Sequence, residues 1–138
     1  MGNPPHFTPR VADIEKFGTV LLCMDGRPQR KVADYLTTSF GVRNLDTITT
    51  AGLVRHMAEH TDQTATLLAN VDISIEKHGS RQIAVVAHHD CAGNPASDKA
   101  QKQQVATATT RLSDLYPDAE VIGLWLSEQW IVERVRRS

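Results

Sequence analysis

Cys23, Asp25 and Arg27 stand at every second position just where the apolar run Gly18-Thr19-Val20-Leu21-Leu22 ends. A thiol, a carboxylate and a guanidinium packed that tightly point to chemistry rather than to burial. A second cluster, His88-His89-Asp90-Cys91, closes another apolar run. Two thiolates and one imidazole suit zinc, a borderline-soft ion that takes S and N ligands in tetrahedral geometry. Cys23, His88 and Cys91 supply three ligands, and the His-x-x-Cys spacing lets two of them reach one ion from a single turn. The fourth position is left to water or to the carboxylate of Asp25. Three protein ligands and an open position make a catalytic site; four closed ligands make a structural one. Zinc brings the pKa of a bound water near 7, and a neighbouring carboxylate can accept the proton and orient the nucleophile. Arg27 can hold Asp25 in a bidentate pair, which keeps that carboxylate off the metal. A purely structural site has no need of such an arginine. The expectation is one Zn2+ per chain on Cys23, His88 and Cys91, with Asp25 and Arg27 as the catalytic pair.

Something must bring the two clusters together. Strand signals appear at Thr19 to Cys23, at Asp46 to Thr50, in QIAVVAHH and at Glu120 to Leu126. QIAVVAHH is a continuous apolar run of the kind buried on both faces of a parallel sheet. Pro28 suits the first turn of a helix reaching about Ser39, and Gly41 suits its end. Apolar spacing predicts a long helix from about Val54 to His78, stopped by Gly79. Asn94-Pro95 reads as the start of another helix that ends before Pro117. Ser127 reads as the cap of a last one. The alternation predicts an α/β fold: a mostly parallel sheet of about four strands, order 2-1-3-4, with helices on both faces. In that order strands one and three are neighbours, and ligands bind in the crevice at their carboxyl ends. Both clusters belong there.

With 138 residues, the chain has the size of one domain. Residues 1–17, with prolines at 4, 5 and 9 and a short helical piece near Val11 to Phe17, read as an N-terminal arm. Residues 18–138 read as a single zinc-binding α/β domain. With 15 basic and 16 acidic residues the net charge is −1, which favours neither nucleic acid nor a charged membrane surface. No apolar run approaches the roughly 20 residues of a membrane span, and the first residues carry no secretory signal. The expected location is cytoplasmic and the expected partner a small-molecule substrate. The two cysteines are far apart in sequence and are not a CxxC redox pair.

CMDGR (23–27), then HHDC (88–91) followed by Ala92-Gly93, resembles the β-class carbonic anhydrases. The likeness runs from about Thr19 to Val135 and takes in TTAGLVR before the long helix and VIGLWLSEQWIVERV at the end. It implies a zinc enzyme converting CO2 and water to bicarbonate and a proton. It also implies a homodimer or a dimer of dimers with its site near the subunit interface. Three residues depart from the family pattern: Gly26 where Ser or Ala is usual, Thr50 where Asn is usual, and His89 where a small polar residue is usual. They bear on the pocket and substrate more than on the metal. The same scaffold also supports hydrolysis of carbon disulfide or carbonyl sulfide.

Other readings compete. His56-Met57-Ala58-Glu59-His60 matches the H-x-x-E-H pattern of inverted zinc proteases, but no third ligand accompanies it, and an exposed polar helix face accounts for it. A closed site of Cys23, Asp25, His88 and Cys91 would make the protein a binding or assembly module. A thiol redox protein would need the two Cα atoms within about 7 Å. His6 and His78 read as surface residues, and Trp125 and Trp130 as core or interface aromatics. Tyr35, Leu36 and Phe40 read as core packing. Asp90 reads as a support for an imidazole or as a solvated loop residue.

Overall fold

A computed structural model describes residues 16–137. The expected arm lies outside these residues except for Lys16 and Phe17, and so does His6. Among the described residues the sheet has five strands: β1 (Phe17–Cys23), β2 (Asn44–Thr50), β3 (Gln82–His88), β4 (Glu120–Leu126) and β5 (Val132–Val135). Their order is β2-β1-β3-β4-β5. The first four are parallel, and β5 runs antiparallel to β4. This is the expected order with one strand added.

The added strand replaces the expected last helix. Ser127 does not cap a helix. Its side chain accepts from the Ile131 N–H at 3.3 Å, and its carbonyl accepts from the Trp130 N–H at 2.8 Å, closing a tight turn. Ile131, Val132 and Val135 are β-branched and prefer a pleated surface. Val132 pairs with Leu126 and Val135 with Gly123, so the edge of β4 is covered rather than left open.

Helix α1 (Gln29–Phe40) covers one face of the sheet, with Val32, Leu36 and Phe40 packed on Val20, Leu22, Ala84, Val86, Ile122 and Leu124. Gly41 ends it in the left-handed conformation, φ 65°. The other face carries α2 (Leu53–Glu59), α3 (Thr64–Glu76) and α4 (Asp98–Leu115). They enclose Leu21, Ile83, Val85, Val121 and Trp125 with Leu53, Val71, Val105 and Leu112. Successive residues of β1, β3 and β4 therefore feed opposite cores, which is why these strands are apolar without interruption.

The expected long helix is two helices. The Thr64 hydroxyl donates to the His56 carbonyl at 2.6 Å, and the Thr61 N–H donates to the Thr64 hydroxyl at 2.8 Å. Side chains thus take over bonds that a continuing helix would have made, and His60 turns the chain at φ 60°. Helix α4 begins three residues later than Asn94-Pro95 suggests. Ser97 is its cap, accepting from the Ala100 N–H, while Asn94 is buried and donates to Gln104. No helix among the described residues is long and apolar enough to cross a membrane.

Candidate metal centre

Parallel pairing of β1 with β3 puts their carboxyl ends side by side. Cys23 is the last residue of β1, His88 the last of β3, and Cys91 lies in the turn beyond. The two sulfurs stand 3.7 Å apart although they are 68 residues apart in sequence. Cys23 Sγ, Cys91 Sγ and a ring nitrogen of His88 all lie within 4.8 Å of one another, and all three residues are buried. Among the described residues no other group of three metal-ligand side chains comes together this way.

The donors fit a tetrahedral thiophilic ion. Two thiolates, each about 2.3 Å from one zinc at the tetrahedral angle, would stand about 3.8 Å apart. His88 Nδ1 lies 2.8 Å from the His89 carbonyl oxygen and must donate to it. That bond fixes the tautomer and leaves the lone pair on Nε2. Nε2 is fully buried and has no hydrogen-bond partner. Buried polar atoms are nearly always satisfied, so an orphan imidazole nitrogen beside two thiols is compatible with a place for a cation.

Electrostatics agree with that reading. Burial pushes the Cys23 thiol up, but the His88 imidazole and the N–H groups of Asp25 and Gly52 outweigh it and bring the thiol down to about 7. Burial and then the charge of Cys23 push Cys91 up. For His88 burial favours the neutral ring, yet Cys23 and the His89 carbonyl raise it above the ordinary imidazole value. Two thiolates this close repel, so the second resists ionising unaided. A divalent cation would relieve the conflict.

Asp25 and Arg27 sit on the loop between β1 and α1. The Arg27 Nε donates to both Asp25 oxygens at 3.2 Å, and its Nη2 donates to Oδ2 at 2.7 Å. The Arg27 backbone N–H donates to Oδ1 at 2.9 Å. These bonds hold the Asp25 carboxyl down to about 2, against an opposing push from burial. Asp25 Oδ2 lies 3.9 Å from the orphan His88 Nε2, beside the candidate ligand atoms but committed to Arg27.

Three further residues hold this loop, and the sequence did not single out their roles. Gln29 donates from Nε2 to the carbonyls of Cys23 and Asp25, both at 2.9 Å. Asp90 contacts Arg27 rather than an imidazole, accepting at Oδ2 from Nη1 at 3.2 Å and at its carbonyl from Nη2 at 3.0 Å. Trp130 covers the guanidinium, whose carbon lies 4.7 Å from the ring centroid. Of the two tryptophans, then, Trp125 is core and Trp130 borders the site. Only the placement of Asp90 between two ligand-type residues hinted at any of this.

Two glycines lock the loops. Gly52, φ 61°, donates its N–H to Cys23 Sγ at 3.4 Å. A Cβ on it would stand 2.4 Å from the Gly93 carbonyl oxygen, and a Cβ on Gly93 would stand 2.7 Å from Gly52 N. The segment after β2 and the segment after Cys91 thus touch backbone to backbone.

Other expected features lie elsewhere. His56 is buried, not on an exposed face, with Nδ1 2.6 Å from Thr61 Oγ1, while His60 is exposed. The two do not share a surface, and the H-x-x-E-H reading has no site. His78 is on the surface, stacked on Phe17 and 2.7 Å from Asp46 Oδ2. Leu36 and Phe40 are core, with Tyr35 partly buried against them. His89 Nδ1 lies 3.0 Å from both oxygens of Asp98 at the start of α4.

Residues 14–136 match a family described as "Putative carbonic anhydrase". No curated protein matches the chain in sequence. Among solved structures, a carbonic anhydrase from Glaciozyma antarctica shares the fold with a TM-score of 0.63 at 14% identity, over 91% of this chain and 85% of that one. A structure from a study of two tetrameric β-carbonic anhydrases of the ascomycete Sordaria macrospora gives a TM-score of 0.57 at 14% identity, over 95% and 86%. At such identity the structural likeness speaks for the fold alone.

Proposed function

Since the chain belongs to this carbonic anhydrase family, we propose that it is a zinc enzyme for the reversible hydration of CO2 to bicarbonate and a proton. The observation that carries the proposal is the cluster of Cys23 Sγ, His88 and Cys91 Sγ within 4.8 Å, flanked by the Asp25–Arg27 pair. In this reading Cys23, His88 and Cys91 hold one Zn2+ per chain. Zinc there supplies a Lewis acid that makes water a nucleophile near neutral pH.

The protein's own groups do the rest. Arg27 occupies both oxygens of Asp25 and so keeps the carboxylate from becoming a fourth ligand. Asp25, held down to about 2, is ionised at any working pH. It is too weak a base to store a proton there, so its role is to accept a hydrogen bond and orient the attacking water. The closed, structural alternative would require Asp25 to leave Arg27, and its bonds to that residue favour the open arrangement. Carbon disulfide and carbonyl sulfide are the alternative substrates. The reading includes a homodimer or a dimer of dimers in the cytoplasm, the assembly being open to light scattering.

The test is stopped-flow CO2 hydration with a pH indicator on zinc-loaded protein at about pH 8 to 8.5, above the pKa near 7 expected of the activated water. Fast turnover that vanishes in Asp25→Asn is the expected result. One zinc per chain with no CO2 turnover overturns the CO2 assignment and sends the same assay to the two sulfur compounds.

A further inference from the structure

Trp130 stands in a backbone conformation that its turn does not want for it. At φ 59° it occupies the left-handed region, where a hairpin of this kind normally places Gly or Asn and where a bulky residue is an outlier. The turn is closed by Ser127 and Ile131 on either side of it, and glycine would serve that geometry better. The indole is also only partly buried against the core, so packing alone does not account for it. What the strained position achieves is a contact: the ring lies over Arg27, 4.7 Å from the guanidinium carbon, and 6.0 Å from the His88 ring.

Arg27 needs such a contact. Its side chain is 46% exposed, and ion pairs in water fix a long side chain weakly. Asp25 and Asp90 take the edges of its plane. The indole takes the face, where a guanidinium is attracted to the ring. We propose that Trp130 is a positioning residue that holds Arg27 in the orientation in which it restrains Asp25. The contact itself stands on the geometry; its effect on turnover rests on the function proposed above.

The experiment separates the two. In metal-free, 15N-labelled protein the Arg27 Nε–H resonance should be shifted by the ring current and slow to exchange. Trp130→Gly should lose both signatures, and Trp130→Phe should keep them. Trp130→Leu, which keeps apolar bulk without a π face, should behave like the glycine variant and serves in its place if that variant does not fold. In CO2 hydration, Trp130→Gly should lower kcat about fivefold, the factor that a cation–π contact of ordinary strength represents. KM should stay unchanged, and Trp130→Phe should restore the rate. An unaltered Arg27 Nε–H in Trp130→Gly, or a rate in Trp130→Leu equal to that of an active wild type, would overturn the positioning role. A wild-type protein that shows the resonance signatures but hydrates no CO2 refutes the activity and leaves the positioning role standing.

Discussion

Replacing Gly52 by Ala should damage both the stability of the protein and the hold on its metal. Two costs are separable. The first is conformational: alanine at φ 61° costs about 1–2 kcal/mol in the left-handed region. The second is steric: the new Cβ would stand 2.4 Å from the Gly93 carbonyl oxygen and 3.0 Å from Asn94 Cβ, and forcing such a contact costs about 1–3 kcal/mol. Gly41 supplies the control, since its φ is 65° and nothing lies within 4 Å of its Cβ position. Gly41→Ala should carry only the first cost. A chain of this length unfolds with an entropy of about 0.3 kcal/mol/K. The two variants should therefore lower Tm by about 3–7 °C for Gly41→Ala and about 7–17 °C for Gly52→Ala. Because the Gly52 N–H donates to Cys23 Sγ, Gly52→Ala should also weaken zinc binding about 10- to 100-fold, the usual effect of disturbing a ligand's support. Calorimetry of both proteins and competition with a chromogenic chelator measure the two effects. Equal Tm losses would refute the contact between the loops, and unchanged zinc affinity would refute its link to the thiolate.

Cys91→Ser should lose zinc outright, read by elemental analysis after dialysis. Arg27→Ala should keep zinc but lose turnover, since Asp25 is then free to reach the metal; full activity would remove Arg27 from the mechanism. Asp25 has a folded-state pKa of about 2 against an ordinary 3.8, so its ion pair stabilises the protein above about pH 4–5 and that contribution fades as pH falls toward 2; Asp25→Asn should flatten this part of a Tm–pH curve. Zinc affinity should fall as pH drops below 7, where the Cys23 thiol, with its pKa of about 7, takes up its proton and competes with the metal. Thr19, fully buried and within 2.6 and 2.7 Å of Ser74 and Ser80, should cost about 1–3 kcal/mol as Thr19→Val because those hydroxyls lose a partner.

The ligand types and the strands that carry them were legible because both signals are local. Two apolar runs end in sulfur and nitrogen donors, and parallel order makes their ends meet. The partners of Arg27 were not legible, because Asp90 and Trp130 reach it across the sheet from other loops, and no short-range pattern encodes that. Two of the errors of secondary structure share a cause. Between Glu59 and Thr64 the polar residues of EHTDQT make side-chain bonds that end one helix and begin the next, and apolar spacing alone runs straight through them. At Ser127 the same residue that caps helices instead closes a turn, and the β-branched Ile131, Val132 and Val135 settle the outcome. The role of Gly52 was not legible either, because its contact with Gly93 depends on how two segments meet in space.

The pairing of β1 with β3 has a consequence for how the protein comes into being. Cys23 and Cys91 meet only after the chain between them has been made and folded. During synthesis Cys23 emerges first and remains a lone thiol until β3 docks beside it. Pairing of distant segments is slow to form, so the proposed zinc would be not a nucleus for folding but a late consequence of topology. Zinc binding only the finished arrangement would then stabilise it in proportion to the logarithm of free metal over Kd. The yield of folded protein in a cell should rise with zinc supply, while the rate of folding in a test tube should not.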